Sequence, residues 1–169
     1  MTAKYCIHCG SHMALAVIDG REREQCPACG AVAYRNPAPV ALAVIEHDAK
    51  LLLIRRALNP LMGYWAPPGG YVECGESLTE AAIREVREEA SIEIRIDRLI
   101  GAYSQSDVDV IIVGYQAHSL GGEPRAGDDA TELALFERGQ LPLETVPRDG
   151  TPIDKWFGKV IRELTAAWR

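Results

Sequence analysis

The chain has 169 residues, 47% of them hydrophobic and 25% charged, and a net charge of −6 at pH 7. That length supports one ordinary domain core with a small appendage, and the acidic balance argues against a broad grip on the phosphates of DNA or RNA. No apolar run approaches the roughly 18 residues that span a membrane, and Met1–Gly10 lacks the apolar segment of a signal peptide, so the expected compartment is the cytosol.

The first element is organised by cysteine. Cys6 and Cys9 stand in CIHCG, and Cys26 and Cys29 in CPACG. In a chain expected to be cytosolic, two Cys-x-x-Cys pairs read as metal ligands before disulfides. Each pair can turn onto one ion, and four thiolates complete a closed, structural Zn2+ site. Glycine after each pair permits the tight turn. His8 and His12 lie close by, but four cysteines already fill the coordination, so both are expected at the surface. Cys74 has no partner pattern and reads as an incidental loop residue. Residues 1–35 are expected to form a zinc ribbon with too little apolar sequence for a core of its own. Its Lys4, Arg21, Arg23 and Arg35 are nearly offset by Asp19, Glu22 and Glu24, a poor electrostatic footprint for nucleic acid.

Residues 36–169 form the expected second domain, entered through the stiff segment NPAP (Asn36–Pro39). VALAVIE (Val40–Glu46) and KLLLIRR (Lys50–Arg56) are short apolar runs joined by His47-Asp48-Ala49, and read as a hairpin buried on both faces. ALNPLMGYWAPPGG is broken by proline and glycine and reads as loop. Ser77 and Glu80 have the spacing of a capping box, starting a helix that runs to about Ala90. Further strands are expected over Leu99–Gln105, Asp109–Ser119 and Thr131–Glu137. Thr151 and Asp154 form a second capping box with Pro152 at the first helical position. Ile153, Trp156, Phe157, Val160, Ile161 and Leu164 then repeat at helical spacing, marking a terminal helix that faces the core and has no evident binding role. Strands buried on both sides need helices on both faces, so the expected fold is α/β: an α/β/α sandwich around a mixed sheet, preceded by the ribbon.

The helix after Ser77 concentrates acid: Glu85, Glu88 and Glu89 lie within five residues. Like charges three and four apart on a helix repel by about 0.2–0.5 kcal/mol per pair. At ~100° per residue the three glutamates border the stripe of Leu78, Ala82, Ile83, Val86 and Ala90. Glu80–Arg84 and Arg84–Glu88 are i,i+4 pairs, which suits a merely solvated, salt-bridged face. The position at the core boundary and the glycine-rich loop just before it favour another purpose. Clustered carboxylates suit Mg2+ or Mn2+, and such a cation between protein and a diphosphate can activate water and neutralise phosphate charge.

The stretch GGYVECGESLTEAAIREVREEASI (Gly70–Ile92 with Gly69 before it) resembles the Nudix box. Gly70, Glu76, Arg84, Glu85, Val86, Glu88, Glu89 and Ile92 match its pattern, while Ser91 stands where the box ends in glycine. The resemblance implies a hydrolase acting on a nucleoside diphosphate linked to another moiety. It implies that Glu85, Glu88 and Glu89 hold Mg2+ or Mn2+ with help from the backbone carbonyl of Gly69 or Gly70. It further implies that Arg84 orients a neighbouring glutamate, that Glu76 supports the site from the loop end, and that Glu85 or Glu89 is the general base. Glu132, following the AGDDA loop, is the candidate for a further acidic ligand.

The ribbon and the order CxxCG, CPxCG, YRNP, LLLIRR, GYW, GGYVECGES are similar to a zinc-ribbon Nudix group that includes FAD pyrophosphatases, which implies FAD or ADP-ribose as substrate and AMP as one product. NADH pyrophosphatases carry a proline-rich motif after the box, and here no proline lies between Ala90 and Pro124. Arg56 is the candidate for holding a phosphate, and Tyr103 or Tyr115 for stacking on a base. The alternatives are an NADH pyrophosphatase, an enzyme that removes oxidised nucleotides, or a non-catalytic nucleotide sensor or RNA-binding protein. A complete acid set argues against the sensor and the net charge against RNA. The expected partner is a small nucleotide, with neither nucleic acid nor membrane, and a homodimer is left open.

Overall fold

The computed structural model describes residues 4–127, 129–142 and 150–168. The chain divides into two compact units, Met1–Asn36 and Pro37–Arg169, a boundary one residue beyond the expected one.

The first unit is a three-stranded antiparallel sheet of β1 (Ala14–Ile18), β2 (Arg21–Gln25) and β3 (Val32–Ala33). Sequence reading expects the metal knuckles but not these strands, whose polar REREQ run hides a period of two. The two knuckles repeat the same backbone geometry. The Gly10 amide donates to the Cys6 carbonyl and the Gly30 amide to the Cys26 carbonyl, each at 2.8 Å. Gly10 and Gly30 sit at φ 73° and 76°, a left-handed conformation open to glycine at little cost.

The second unit is built on a seven-stranded mixed sheet. Its strands are β4 (Ala38–His47), β5 (Lys50–Arg56), β6 (Trp65–Ala66), β7 (Gly69–Tyr71), β8 (Ile94–Tyr103), β9 (Val110–Ser119) and β10 (Ala130–Phe136). The main order is β10-β5-β4-β9-β8, with β6 beside β5 and β7 beside β4. β4 and β9 run parallel and the other pairs antiparallel. The expected hairpin is present, with His47 opposite Lys50 and a two-residue turn at Asp48 and Ala49, both at positive φ, as tight hairpins require. β6 and the first two residues of β7 fall inside the stretch expected to be loop. Two or three residues cannot establish a strand pattern; neighbouring β4 and β5 supply their pairing. β8 begins five residues earlier than expected. Its first half alternates Ile94 and Ile96, turned inward, with Arg95 and Asp97, which suits a sheet edge protected by charge.

β4 is buried on both faces because its neighbours in sequence serve opposite layers. Leu42 and Val44 pack with Trp156, Phe157, Val160, Ile161 and Leu164 of α2 (Pro152–Ala166). Ala43 and Ile45 pack with Val86 and Ala90 of α1 (Leu78–Ala90), and Ala41 with Ala81 and Ala82 of the same helix. The result is helix, sheet, helix. A Cβ on Gly114 would collide with Leu164, so this glycine lets α2 lie close on β9. Both helices carry the expected capping boxes, Ser77 with Glu80 and Thr151 with Asp154. No helix among the described residues is long and apolar enough to cross a membrane.

Candidate active site

Capping fixes where α1 begins, and so which way its acids point. Glu89 is buried, 6% exposed, and its Oε2 accepts the Gly69 amide at 2.7 Å. Glu85 is half-buried against β7: a Cβ on Gly70 would lie 2.5 Å from its Oε1. Only glycine brings the β7 backbone this near the two carboxylates. Gly69 is similarly constrained, at φ 148° with the Ala41 carbonyl behind it. Glu88 is exposed, its side chain at 57%, one step outside the core boundary assigned from helical periodicity.

Arg84 clamps the open side. Its Nε and Nη2 donate to the two Glu76 oxygens at 3.0 and 2.7 Å, Nη1 to Glu85 at 2.8 Å and Glu88 at 3.0 Å, and Nη2 also to the Tyr71 carbonyl at 3.0 Å. One planar fork thus orients three carboxylates. It holds Glu76 down to about 2. Glu76 also accepts the Glu73 amide at 2.8 Å, which fastens the loop ahead of α1.

A fourth acid comes from the far side. The Arg125 amide donates to the Ala90 carbonyl and the Gly127 amide to the Glu89 carbonyl, each at 3.0 Å, so the loop caps the end of α1. A Cβ on Gly127 would collide with the Glu88 carbonyl. This docking brings Asp129 to a hollow that it lines with Glu85, Glu88 and Glu89. The candidate expected just after this loop, Glu132, does not line the hollow; its exposed side chain on β10 pairs with Arg55 at 2.7 Å.

The hollow is short of positive charge. Burial pushes Glu89 up to about 7 against the pull of the Gly69 amide, with the nearby Glu85 charge adding to the rise. Burial also raises Glu85, although Arg84 opposes it. Carboxylates gathered around a common space offer the oxygen donors that a hard divalent cation prefers.

A cavity of about 110 Å3 lies on the other side of β7, lined by Val40, Leu42, Arg56, Asn59, Pro60, Gly69, Gly70, Tyr71, Val110, Ile112, Ile153, Trp156 and Phe157. Arg56 stands with its guanidinium 5.2 Å from the Phe157 ring centre, and its Nε donates to the Pro60 carbonyl at 2.7 Å. Burial lowers its pKa, and the charges of Glu89, Asp129 and Tyr71 counter that. Tyr71, 61% exposed, and the first turns of α2 go unnoticed in the sequence: Tyr71 sits inside the box, and α2 reads as core alone. Tyr103 does not line this cavity. It packs against the core beneath α2, and Tyr115 is buried on the α1 side.

In the first unit the four Sγ atoms of Cys6, Cys9, Cys26 and Cys29 all lie within 4.8 Å of one another. Cys6 and Cys29 are 3.6 Å apart, and Cys9 and Cys26 3.4 Å. Tetrahedral zinc with Zn–S near 2.3 Å needs sulfurs about 3.8 Å apart. The Ser11 hydroxyl and amide hold the Cys9 thiol down to about 6. Cys29 is pushed up to about 12: the Ala31 amide pulls it down, and the other three thiols outweigh that pull. Four crowded thiols cannot all ionise without a cation among them, so the donor set fits structural zinc. His8 and His12 are exposed, as expected.

Comparison with known proteins agrees with this geometry. The NUDIX domain model matches residues 35–157, and the Nudix N-terminal zinc-ribbon model matches residues 4–35. An ADP-ribose pyrophosphatase from Methanocaldococcus jannaschii is 43% identical over 113 residues, 64% of this chain and 67% of that protein. An NAD-capped RNA hydrolase from Stutzerimonas stutzeri is 32% identical over 145 residues, 82% of this chain and 51% of that protein; the chain spans about half the length of such relatives. The crystal structure of a NUDIX hydrolase from Nitrosomonas europaea matches with a TM-score of 0.82 at 27% identity, covering 98% of this chain and 94% of that one. The chain belongs to the Nudix hydrolases, which act on pyrophosphate bonds, and carries an N-terminal Nudix zinc ribbon.

Proposed function

We propose that this chain hydrolyses the diphosphate linkage of ADP-ribose, giving AMP and ribose 5-phosphate. The observation that carries the reading is the junction at β7: a hollow of four carboxylates on one side, and an aromatic-walled cavity with Arg56 on the other. Gly69 and Gly70 line the cavity and lie against Glu89 and Glu85, so a diphosphate at β7 would have both beside it. The 43% identity to an ADP-ribose pyrophosphatase favours ADP-ribose. FAD, which shares the ADP half, is the companion candidate from the sequence.

Glu85, Glu88, Glu89 and Asp129, with a Gly69 or Gly70 carbonyl, would hold Mg2+ or Mn2+. The bound cation supplies water activation and neutralises charge on the phosphates. Arg84 keeps Glu85 and Glu88 aimed at the hollow, and Glu76 holds Arg84. Glu85 or Glu89 takes the proton of the attacking water. Arg56 meets a phosphate oxygen at the cavity edge, and Tyr71 with Phe157 flanks the base or ribose. The Cys6, Cys9, Cys26 and Cys29 site holds Zn2+ and folds the ribbon.

A panel of ADP-ribose, FAD, NADH and 8-oxo-dGTP with Mg2+ or Mn2+ tests the assignment, with products identified. ADP-ribose should give the highest kcat/KM and should yield AMP. The similarity to NAD-capped RNA hydrolases favours NADH as a second reading, against which stands the missing proline-rich motif. A ten-fold preference for NADH, worth about 1.4 kcal/mol of transition-state binding, would overturn the ADP-ribose assignment.

A further inference from the structure

We infer that Asp154 is a positioning residue that fixes the mouth of the substrate cavity, beyond its role as a helix cap. Its carboxylate is shared between two tasks. Oδ2 accepts the Thr151 amide at 2.9 Å and the Thr151 hydroxyl at 2.7 Å, which closes the capping box of α2. Oδ1 accepts the backbone amide of Leu61 at 3.0 Å, 93 residues away in sequence. A capping box needs only the first task.

The second task fastens a loop. Residues 57–64 fold back on themselves: the Arg56 amide donates to the Tyr64 carbonyl at 2.9 Å, and the Gly63 amide to the Arg56 carbonyl at 2.8 Å. The near end is tied to the acidic hollow by the Ala57 amide, which donates to the Asp129 carbonyl at 3.0 Å. The far end carries Leu61, which is 3% exposed and sits at φ 59°, a left-handed conformation that is unfavourable for a non-glycine residue. The Asp154 oxygen satisfies the Leu61 amide there. Between these two ties lie Asn59 and Pro60, which line the cavity together with Ile153, Trp156 and Phe157, the neighbours of Asp154 on α2. Asp154 therefore joins the two lining segments at the cavity mouth. It also keeps the Pro60 carbonyl where Arg56 leans on it.

The inference rests on the cavity holding part of the nucleotide, and its test separates that from the choice of substrate. Asp154→Ala removes both tasks; Thr151→Ala weakens the cap and leaves the Leu61 tether. Both are compared below their melting temperatures, with Tm recorded. KM and kcat are measured with ADP-ribose, and the affinity for AMP is measured separately by tryptophan fluorescence, since Trp156 lines the cavity. Asp154→Ala should raise KM and the AMP Kd about ten-fold with kcat within about three-fold of wild type, and should speed amide exchange at Leu61. Thr151→Ala should lower Tm and leave KM, Kd and Leu61 exchange near wild type. If wild type fails to cleave ADP-ribose, the substrate assignment fails while the AMP and exchange arms still decide on Asp154. Equal shifts in the two variants, or none in Asp154→Ala, would overturn the inference.

Discussion

Among the described residues, four cysteines and four carboxylates gather in two clusters built on opposite plans. In the ribbon, four soft donors crowd within 4.8 Å and leave no open position. In the second unit, four hard donors run from buried Glu89 to exposed Glu88 and Asp129 around a hollow open to solvent. The first plan fits an ion closed off from solvent in a small unit that lacks a core. The second would leave room for a substrate oxygen. On the proposed reading the closed soft site serves folding, and the open hard site serves chemistry at a cost in like-charge repulsion.

The largest effect should come from breaking the closed site. Structural zinc in small modules is worth on the order of 10 kcal/mol of folding free energy. Purified protein should carry about one equivalent of zinc. Cys26→Ala, or exhaustive chelation, should release it and remove amide protection from residues 4–36, with the sheet of the second unit intact. Protein purified without chelators and found free of metal would refute this half of the comparison.

Next in size is the loss of turnover at the open site. Glu85→Gln, Glu88→Gln, Glu89→Gln and Asp129→Asn should each lower kcat by about 10²-fold or more, since both water activation and charge neutralisation rest on the cation. Glu132→Gln should stay within about three-fold, because it loses only an exposed ion pair with Arg55. A rate assay on the five variants ranks Asp129 against Glu132 directly.

A smaller effect concerns pH. Glu89 is held near 7 in the folded chain, against an ordinary carboxyl value near 4.5. The folded state then binds more protons than the unfolded state between these values, so stability falls as pH rises from about 4.5 to 7 and stays lower above. The contribution is at most on the order of 3 kcal/mol. In chelator, Glu89→Gln should flatten that fall while keeping an oxygen for the Gly69 amide. Urea midpoints between pH 4.5 and 8 would read it, and parallel curves for the two proteins would count against it.

The smallest effect lies at Ser91, the one departure from the box. Ser91 caps α1 at φ 57° and ψ 28°, donating its amide to the Arg87 carbonyl at 3.1 Å. The fold keeps the left-handed cap and accepts serine in it. Ser91→Gly should add about 0.5–1 kcal/mol with no change in rate.

What the sequence revealed and what it hid follow from the range of the interactions. Cys-x-x-Cys pairs, both capping boxes and the β4–β5 hairpin are local patterns, readable within about a dozen residues. Asp129 is different: it reaches the hollow only because Arg125 and Gly127 cap α1 from a loop some 35 residues downstream. Tyr71, Trp156 and Phe157 share a cavity only once α2 has docked on β4. The apolar repeat of α2 marks burial correctly but cannot say that one end of the buried face borders an opening. Glu132 is a candidate by resemblance, as an acid just after the AGDDA loop, and the side of β10 that it occupies is not written locally.

The central claim, that the four carboxylates are kept for a divalent cation, is tested most directly by thermal melting at pH 8 in chelator and in Mg2+, for wild type and Glu89→Gln. A ligand bound only by the native state stabilises by RT ln(1 + [L]/Kd), so Mg2+ should raise the wild-type Tm. Glu89→Gln should melt at the same temperature as wild type or higher in chelator, and should lose most of the Mg2+ gain. A lower Tm for Glu89→Gln in chelator, with an undiminished response to Mg2+, would mean that these acids serve the fold and that the hollow is not a cation site.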